Sequence, residues 1–273
     1  MSQDAHDAET PSNAETLVAV AVGNTRTRVG VFTGDRLDDP RSLDNADEEA
    51  LIGEIERLGS REGAVTVIAS VNDPLADRLE ERLSAALETP PLRIGRDVPI
   101  PLTHTLADAS TLGQDRMLCA LGASVRARQA CVVVDAGTAV TIDYIDRNGV
   151  FRGGLIAPGL RMMLRSLHEH TAALPLVEYE APAPDEGPGG SDTPSAMRLG
   201  VTTAMRGLVR AAVESFALHH DAYPQVIATG GDMGVLQDDG VIEHFVPDLQ
   251  LIGIHACCHG ALDRLDDDED APA

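Results

Sequence analysis

The sequence contains no tryptophan and no lysine, and only 3% of its 273 residues are aromatic. The hydrophobic content of 43% is still ample for a core, which must consist mainly of Val, Leu, Ile and Ala. No run of about 18 or more apolar residues occurs, so no membrane-spanning helix is predicted. The length is suited to one large domain or to two small ones.

Positive charge is also scarce, because 21 basic residues, all of them arginines, face 44 acidic residues. The resulting formal net charge of −23 argues against nonspecific binding to nucleic acids and against anionic membranes. Without lysine, any bound phosphate must be held by arginine, by a metal ion or by backbone N–H groups. The acidic, lysine-free composition fits a salt-rich cell interior or GC-rich coding.

The four cysteines lie in no CxxC pattern, which predicts reduced thiols in a cytoplasmic protein rather than disulfides or a zinc site. The acidic and polar residues 1–15 are unlike a secretory signal and predict a disordered arm. The segment 264–273 predicts a second disordered, acidic tail.

The most informative stretch is residues 131–145, with the sequence CVVVDAGTAVTIDYI. Two β-rich runs joined by a short turn at Gly137 predict a hairpin. The carboxylate of Asp135 is suited to a cation, whereas the backbone at Gly137 and the hydroxyl of Thr138 are suited to a phosphate. Taken alone, such a turn is also common in proteins that bind nothing there.

A similar pattern occurs at residues 17–32, with the sequence LVAVAVGNTRTRVGVF. Aligning Gly23 with Gly137 sets Ala21 over Asp135, so the first copy lacks the acid. A strand–turn–strand unit used twice indicates a duplicated domain, whose two turns we expect to face each other across one cleft.

The rest of the chain alternates strands with amphipathic helices, which predicts an α/β architecture. Near residue 113 the sequence GQDR opens a helix, where Asp115 is either an ordinary acid at a helix N-terminus or a base for a substrate hydroxyl. We predict an N-terminal domain over 16–125 and a C-terminal domain over 126–263. Predicted helices cover 46–58, 74–87, 194–218 and 251–262, and predicted strands cover 64–70 and 225–228.

Together these stretches resemble the type III pantothenate kinase family over about residues 17–260. The matching segments are 22–26, 113–116, 135–138, 153–159, 171–175 and 193–200. The resemblance implies an α/β fold of two duplicated actin-like (ribonuclease H-like) domains with a cleft between them. It also implies transfer of the ATP γ-phosphate to pantothenate, which is the first step of coenzyme A biosynthesis.

The same resemblance implies a role for each matching residue. Asp115 would be the proton acceptor, and Asp135 would bind a monovalent cation, K⁺ or NH₄⁺. Pantothenate would contact Gly113, Gln114, Asp115, Arg116 and Thr193. ATP, as its Mg²⁺ complex, would contact Val22, Gly23, Asn24, Thr25, Arg26 and Thr138. Members of the family are usually homodimers whose substrate pocket is completed by the partner.

Ala21 departs from the family pattern Asp-Val-Gly-Asn-Thr, in which the Asp helps to position Mg–ATP. Asp35 and Asp73 follow nearby strands and are candidates for compensation. One alternative function is an impaired homologue that binds nucleotide or acts as a regulator, like the related Bvg accessory factors. Another is a kinase for a different small molecule. The presence of Asp115 and Asp135 favours the pantothenate kinase.

Overall fold

The computed structural model describes residues 16–182, 187–237 and 239–269, and the side chains of 260–269 lie outside the description. The predicted arm, residues 1–15, also lies outside the described residues. The described chain forms two five-stranded mixed sheets with helices against them.

The first sheet has the strand order β3-β2-β1-β4-β5. Its elements are β1 (Thr16–Val22), β2 (Arg26–Thr33), β3 (Arg36–Asp44), α1 (Glu48–Gly59), β4 (Ala64–Ser70), α2 (Asp73–Ala86) and β5 (Leu92–Arg93). Helix α1 begins where the side chain of Asp47 accepts a hydrogen bond from the N–H of Ala50, which satisfies one of its first amides.

Helix α3 (Gln114–Ala127) leads from the first sheet to the second. The second sheet has the order β10-β9-β6-β7-β8. The remaining elements are β6 (Cys131–Ala136), β7 (Ala139–Ile145), β8 (Phe151–Pro158), α4 (Leu160–Glu169), α5 (Thr193–His220), β9 (Gln225–Thr229), a 3₁₀ helix (Met233–Leu236), β10 (His244–Phe245) and α6 (Leu249–Glu269).

The two sheets have the same topology, which confirms the predicted duplication. In each, the first strand pairs antiparallel with the second and parallel with the fourth in chain order, as β1 does with β2 and β4 and β6 does with β7 and β9. Helices α3 and α6 follow the fifth strand of each copy. The predicted fold class, two duplicated α/β domains, is therefore correct.

Strand β1 is apolar at every position after its first residue because both of its faces are covered. Val18, Val20 and Val22 pack in the core with α1 and α2. Ala19 and Ala21 lie on the opposite face, in a core that includes residues of α3 and α6. The side chain of Ala21, at the end of β1, thus faces α3 and α6, the helices between the two sheets.

Helices α3 and α6 approach each other closely because each has a glycine at the contact. A Cβ atom on Gly122 would lie 2.6 Å from the carbonyl oxygen of Leu249, and one on Gly253 would collide with the backbone of Leu118. Through α6 the C-terminal end of the chain returns to the first sheet, where Leu251 and Ile254 join its core. Because α3 and α6 pack against both sheets, the fold does not test the predicted domain division at 125/126. That division stays a prediction.

Helix α6 continues to Glu269, so the segment predicted as a tail from residue 264 begins as helix. This segment carries no glycine or proline before Pro272, and its charge alone does not end a helix. The cysteines are unbonded, with Cys119, Cys131 and Cys257 buried and Cys258 partly so. Within the described part of the chain, no helix is long and apolar enough to cross a membrane.

Candidate active site in the cleft

The two glycine turns meet across the cleft, as their sequences predict. The hydroxyl oxygens of Thr25 and Thr138 lie 3.1 Å apart. Each turn is closed by its glycine, although the first is one residue longer: the N–H of Gly23 donates to the carbonyl of Arg26 at 3.0 Å, and that of Gly137 donates to the carbonyl of Ala139 at 3.0 Å. Two hydroxyls and two tight turns therefore converge on one place between the sheets.

Asn45, at the end of β3, holds the first turn in shape. Its side-chain amide donates to the carbonyl of Gly23 at 2.8 Å, and its side-chain oxygen accepts from the hydroxyl of Thr27 at 2.8 Å. Its backbone N–H donates to the carbonyl of Thr25 at 3.1 Å. The sequence analysis missed Asn45, because an Asn after a polar stretch is an ordinary loop signal.

The residues of this turn that are predicted to contact ATP differ in the exposure and the partners of their side chains. Asn24 and Thr25 are exposed. The side chain of Val22 is buried in the core with α1 and α2, and its carbonyl accepts from the N–H of Val71. Arg26 donates to the hydroxyl and the carbonyl of Ser42 at 2.9 and 3.0 Å. Val22 and Arg26 thus support the turn, and ATP contacts by their side chains stay a prediction.

Three carboxylates, those of Asp115, Asp135 and Asp143, act on one another at the floor of the cleft. Burial, followed by the negative charges of Asp115 and Asp143, raises the pKa of Asp135 to about 7, and the positive charge of Arg28 opposes the shift. A bound cation would favour the ionised form of Asp135 in such surroundings. The structure therefore brings together the predicted base and the predicted cation ligand.

Arg116 is paired with Asp143, a buried acid on β7 that the sequence analysis missed. The Nε atom of Arg116 lies 3.2 and 3.1 Å from the two carboxylate oxygens, and its guanidinium lies over the ring of Phe151. Burial raises the pKa of Asp143, and the bond to Arg116 opposes that shift. A Cβ atom on Gly154 would collide with Asp143, which explains why glycine occurs there. The predicted contact between Arg116 and pantothenate would need one of its remaining donors.

Asp115 is the second residue of α3, two positions after the capping residue Gly113. Its carboxylate accepts the N–H of Arg116 at 2.8 Å, and it occupies the space that a Cβ atom on Gly113 would take. Gln114 holds this helix start in place, because its amide donates to the carbonyl of Ile94 at 3.1 Å and accepts from the N–H of Ser70 at 3.4 Å. The substrate contacts of Gly113 and Gln114 stay predictions.

Two further turns enclose the second glycine turn. A Cβ atom on Gly159 would collide with the carbonyls of Gly137 and Thr138, and one on Gly230 would collide with the carbonyl of Ala136. Gly230 has φ of +91°, in the region that favours glycine. The N–H of Asp232 then donates to the carbonyl of Ala136 at 2.8 Å. The strand ends thus form a narrow cradle made largely of backbone.

Ala21 is 2% exposed and lies opposite Arg28 on the neighbouring strand. Arg28 forms an ion pair with Asp248 at 2.7 Å. Neither candidate for compensation is part of this contact: Asp35 clusters with two histidines of α6, and Asp73 lies 3.4 Å from Arg93. The structure does not support compensation by Asp35, which lies beyond the far end of β2, whereas compensation by Asp73, which follows β4 at the same sheet edge as Ala21, stays a prediction.

Thr193 lies apart from Asp115, on a cavity of about 600 Å³ between α4 and α5. The cavity is lined mainly by apolar side chains, and its lining includes no residue of 113–116. Its lining residues include Pro158, Met163, Leu174, Thr193, Ala196 and Gly200. The predicted pantothenate contact of Thr193 stays a prediction.

The residues of the cleft fit the groups that the family pattern implies. The two threonine hydroxyls are donors suited to phosphate oxygens. Burial and the nearby charges of Asp115 and Asp143 raise the pKa of Asp135, and a bound cation would favour its ionised form. For Mg²⁺ the fit is poorer on the first turn, where Ala21 offers no oxygen ligand.

Comparisons with known proteins agree with this site. The family model described as type III pantothenate kinase matches residues 17–215. The type III pantothenate kinase of Dehalococcoides mccartyi is 32% identical over 251 residues, covering 88% of this chain and 96% of the relative. That of Caulobacter vibrioides is 30% identical over 248 residues, covering 87% and 95%.

Solved structures share the fold. A chain from Campylobacter jejuni, described as a Baf family protein, matches with a TM-score of 0.58 at 19% identity, covering 90% of this chain and 99% of that one. A chain from Sinorhizobium meliloti, described as a 2-dehydro-3-deoxygalactonokinase protein, matches with a TM-score of 0.55 at 12% identity, covering 89% and 96%. The fold is the actin-like, sugar-kinase-like one, and the chain belongs to the type III pantothenate kinase family.

Proposed function

We propose that this chain is an active kinase that transfers the γ-phosphate of ATP to the hydroxyl of pantothenate. The observation that carries the proposal is the contact between Thr25 and Thr138, where the two duplicated turns meet. Near this contact, burial and then the charges of Asp115 and Asp143 raise the pKa of Asp135 to about 7. The cytoplasm is the proposed place of action.

In this mechanism the protein supplies position and charge rather than a covalent intermediate. The hydroxyls of Thr25 and Thr138, at the two glycine turns, would donate to the phosphates of ATP. Asp115, whose carboxylate accepts the N–H of Arg116 at the start of α3, accepts the proton of the pantothenate hydroxyl as that oxygen attacks the γ-phosphorus. The ion pair with Asp143 fixes the guanidinium of Arg116, the residue that follows Asp115.

Asp135 is the proposed ligand for a monovalent cation, and Mg²⁺ is proposed to arrive bound to ATP. A cation at Asp135 would supply positive charge close to the phosphates. Asp135 itself holds that position because Gly230 and the β6 strand end pack directly against it. With a pKa of about 7, this carboxyl binds a cation better as the pH rises above that value.

The test is an ATP-to-ADP assay with pantothenate as the acceptor, with and without potassium. We expect pantothenate-dependent turnover that potassium increases, and a larger increase at pH 8 than at pH 6 because the cation needs the ionised Asp135. Sodium at equal ionic strength is the control for nonspecific salt effects. Absence of pantothenate-dependent ADP formation under every salt condition would contradict the proposed function.

A homodimer is the proposed assembly, supported by an apolar surface that the single chain leaves uncovered. Strand β8 is at the edge of the second sheet, where it carries Ile156 at 65% exposure. Leu155, Met162 and Leu176, from β8, α4 and the segment after α4, are also exposed. An exposed apolar edge strand is typical of an interface with another chain.

We expect Ile156→Asp to convert a dimer to a monomer, because a charge at this exposed position of the edge strand opposes its burial. Light scattering at micromolar concentration measures the change. Leu218→Asp is the matched control, because Leu218 is an exposed apolar residue on α5, away from β8. A wild-type chain that is monomeric and fully active would contradict the proposed dimer.

The regulator alternative has one observation in its favour, the absence of a carboxylate at Ala21. The net charge of −23 opposes a regulator that binds nucleic acid directly. The assay above separates the two functions, because a regulator needs no turnover of pantothenate.

A further inference from the structure

We propose that Asp35, His255 and His259 form a binding site for a divalent transition metal ion of the zinc class. One oxygen of Asp35 and one ring nitrogen of each histidine all lie within 4.8 Å of one another. Asp35 belongs to the turn between β2 and β3, whereas the histidines lie one turn apart on α6. The site therefore joins two segments that are distant in the sequence.

The spacing of the two histidines along α6 explains why their rings lie together. Residues four apart on a helix lie on the same face, so His255 and His259 present their rings side by side. Their ring centroids are 4.1 Å apart in an edge-on arrangement. This pairing also explains the Cys257-Cys258-His259 stretch: the histidine belongs with His255 and not with its neighbouring cysteines.

His255 is held in place before any metal binds. Its ring stacks on Phe32 with centroids 4.2 Å apart, and its Nε2 lies 2.9 Å from the carbonyl oxygen of Gly34. A histidine that ligates a metal is commonly oriented by just such a bond from its other nitrogen to a backbone carbonyl.

Two imidazoles and one carboxylate favour zinc or a related ion such as cobalt over magnesium or calcium, which prefer oxygen ligands. Ligand atoms around tetrahedral zinc are roughly 3.4 Å apart, for bonds of about 2.1 Å. Asp35 and His259 are exposed and can close this difference by side-chain rotation. Water would complete the fourth position.

The site lies at the end of β2 opposite the Thr25 turn. The eight residues of β2 span on the order of 25 Å, so the metal is far from phosphoryl transfer. It would instead tie α6 to the first sheet, which α6 reaches only at the end of the chain. We infer a stabilising role for the ion and no role in the chemistry of the cleft.

The test uses the tag-free full chain, treated with a chelator and titrated with ZnCl₂ by calorimetry and in thermal unfolding. We expect saturable binding of one zinc ion at micromolar or lower concentration, with a rise in Tm. His259→Ala and Asp35→Asn should each weaken binding by more than about 100-fold, because even changes in outer partners cost roughly 10–100-fold. Kinase activity of both variants should remain at the wild-type value.

His170→Ala is the control, since His170 is an exposed histidine on the second half of the chain. This variant should bind zinc with the same affinity as the wild type. The titration is repeated at high salt, because salt screens the nonspecific attraction of zinc to the acidic surface. Cobalt in place of zinc should give no thiolate charge-transfer band. Zinc binding that both ligand variants retain, a thiolate band, or no saturable binding by the wild type would each overturn the site.

Discussion

Asp115→Asn is expected to lower the turnover number by roughly 10²–10⁴-fold, which is the usual contribution of a general base. An amide cannot accept the proton of the pantothenate hydroxyl. Its oxygen can still accept the N–H of Arg116, so the start of α3 should keep its shape. Binding of pantothenate should change little, and an unchanged Tm would show that the fold is intact.

Two comparisons sharpen this test. Asp221→Asn makes the same chemical change at the end of α5, where φ of 46° suits asparagine as well as aspartate, and should leave turnover unchanged. Direct titration of pantothenate separates loss of binding from loss of chemistry. Turnover of Asp115→Asn at the wild-type value would show that another group takes the proton.

The duplicated fold could be predicted because each copy carries the same short pattern of apolar run, glycine turn and β-rich run. Buried strands such as β1 and amphipathic helices such as α2 have the periodicity that sequence patterns detect best. Strand β3 was missed because it is a polar edge strand, with Pro40 beside a shift in register. Such a strand is specified by its partner β2 rather than by its own residues.

The site was predictable where a residue type is unusual for its place, and not where it depends on distant partners. Asp135, at the end of an apolar strand, stands out in the sequence. Asp143 interrupts an apolar strand as well, but only the structure shows that Arg116 neutralises it. Asn45 and the pair of His255 with Asp35 become meaningful only when distant segments meet.

Ala21→Asp is expected to raise turnover by up to about 10²-fold and to lower the Mg²⁺ concentration needed for it. The reason is positional, because misplacing a reacting group by about 1 Å can cost ~10²-fold. A carboxylate at the end of β1 would add an oxygen ligand, directly or through a metal-bound water. It would lie opposite Arg28, which can neutralise it by sharing its bond to Asp248.

An Mg²⁺ titration of the wild type, Ala21→Asp and Ala21→Asn decides among three outcomes. Ala21→Asn has the shape of the aspartate without its charge and should not raise turnover. A rise in Ala21→Asp alone supports an active kinase that lacks one positioning group. A fall would mean that Asp135 and its neighbours already suffice, and that a further anion crowds them, as the raised pKa of Asp135 shows such crowding to be costly. If no protein phosphorylates pantothenate, the chain has lost the family's activity and Ala21 marks that loss.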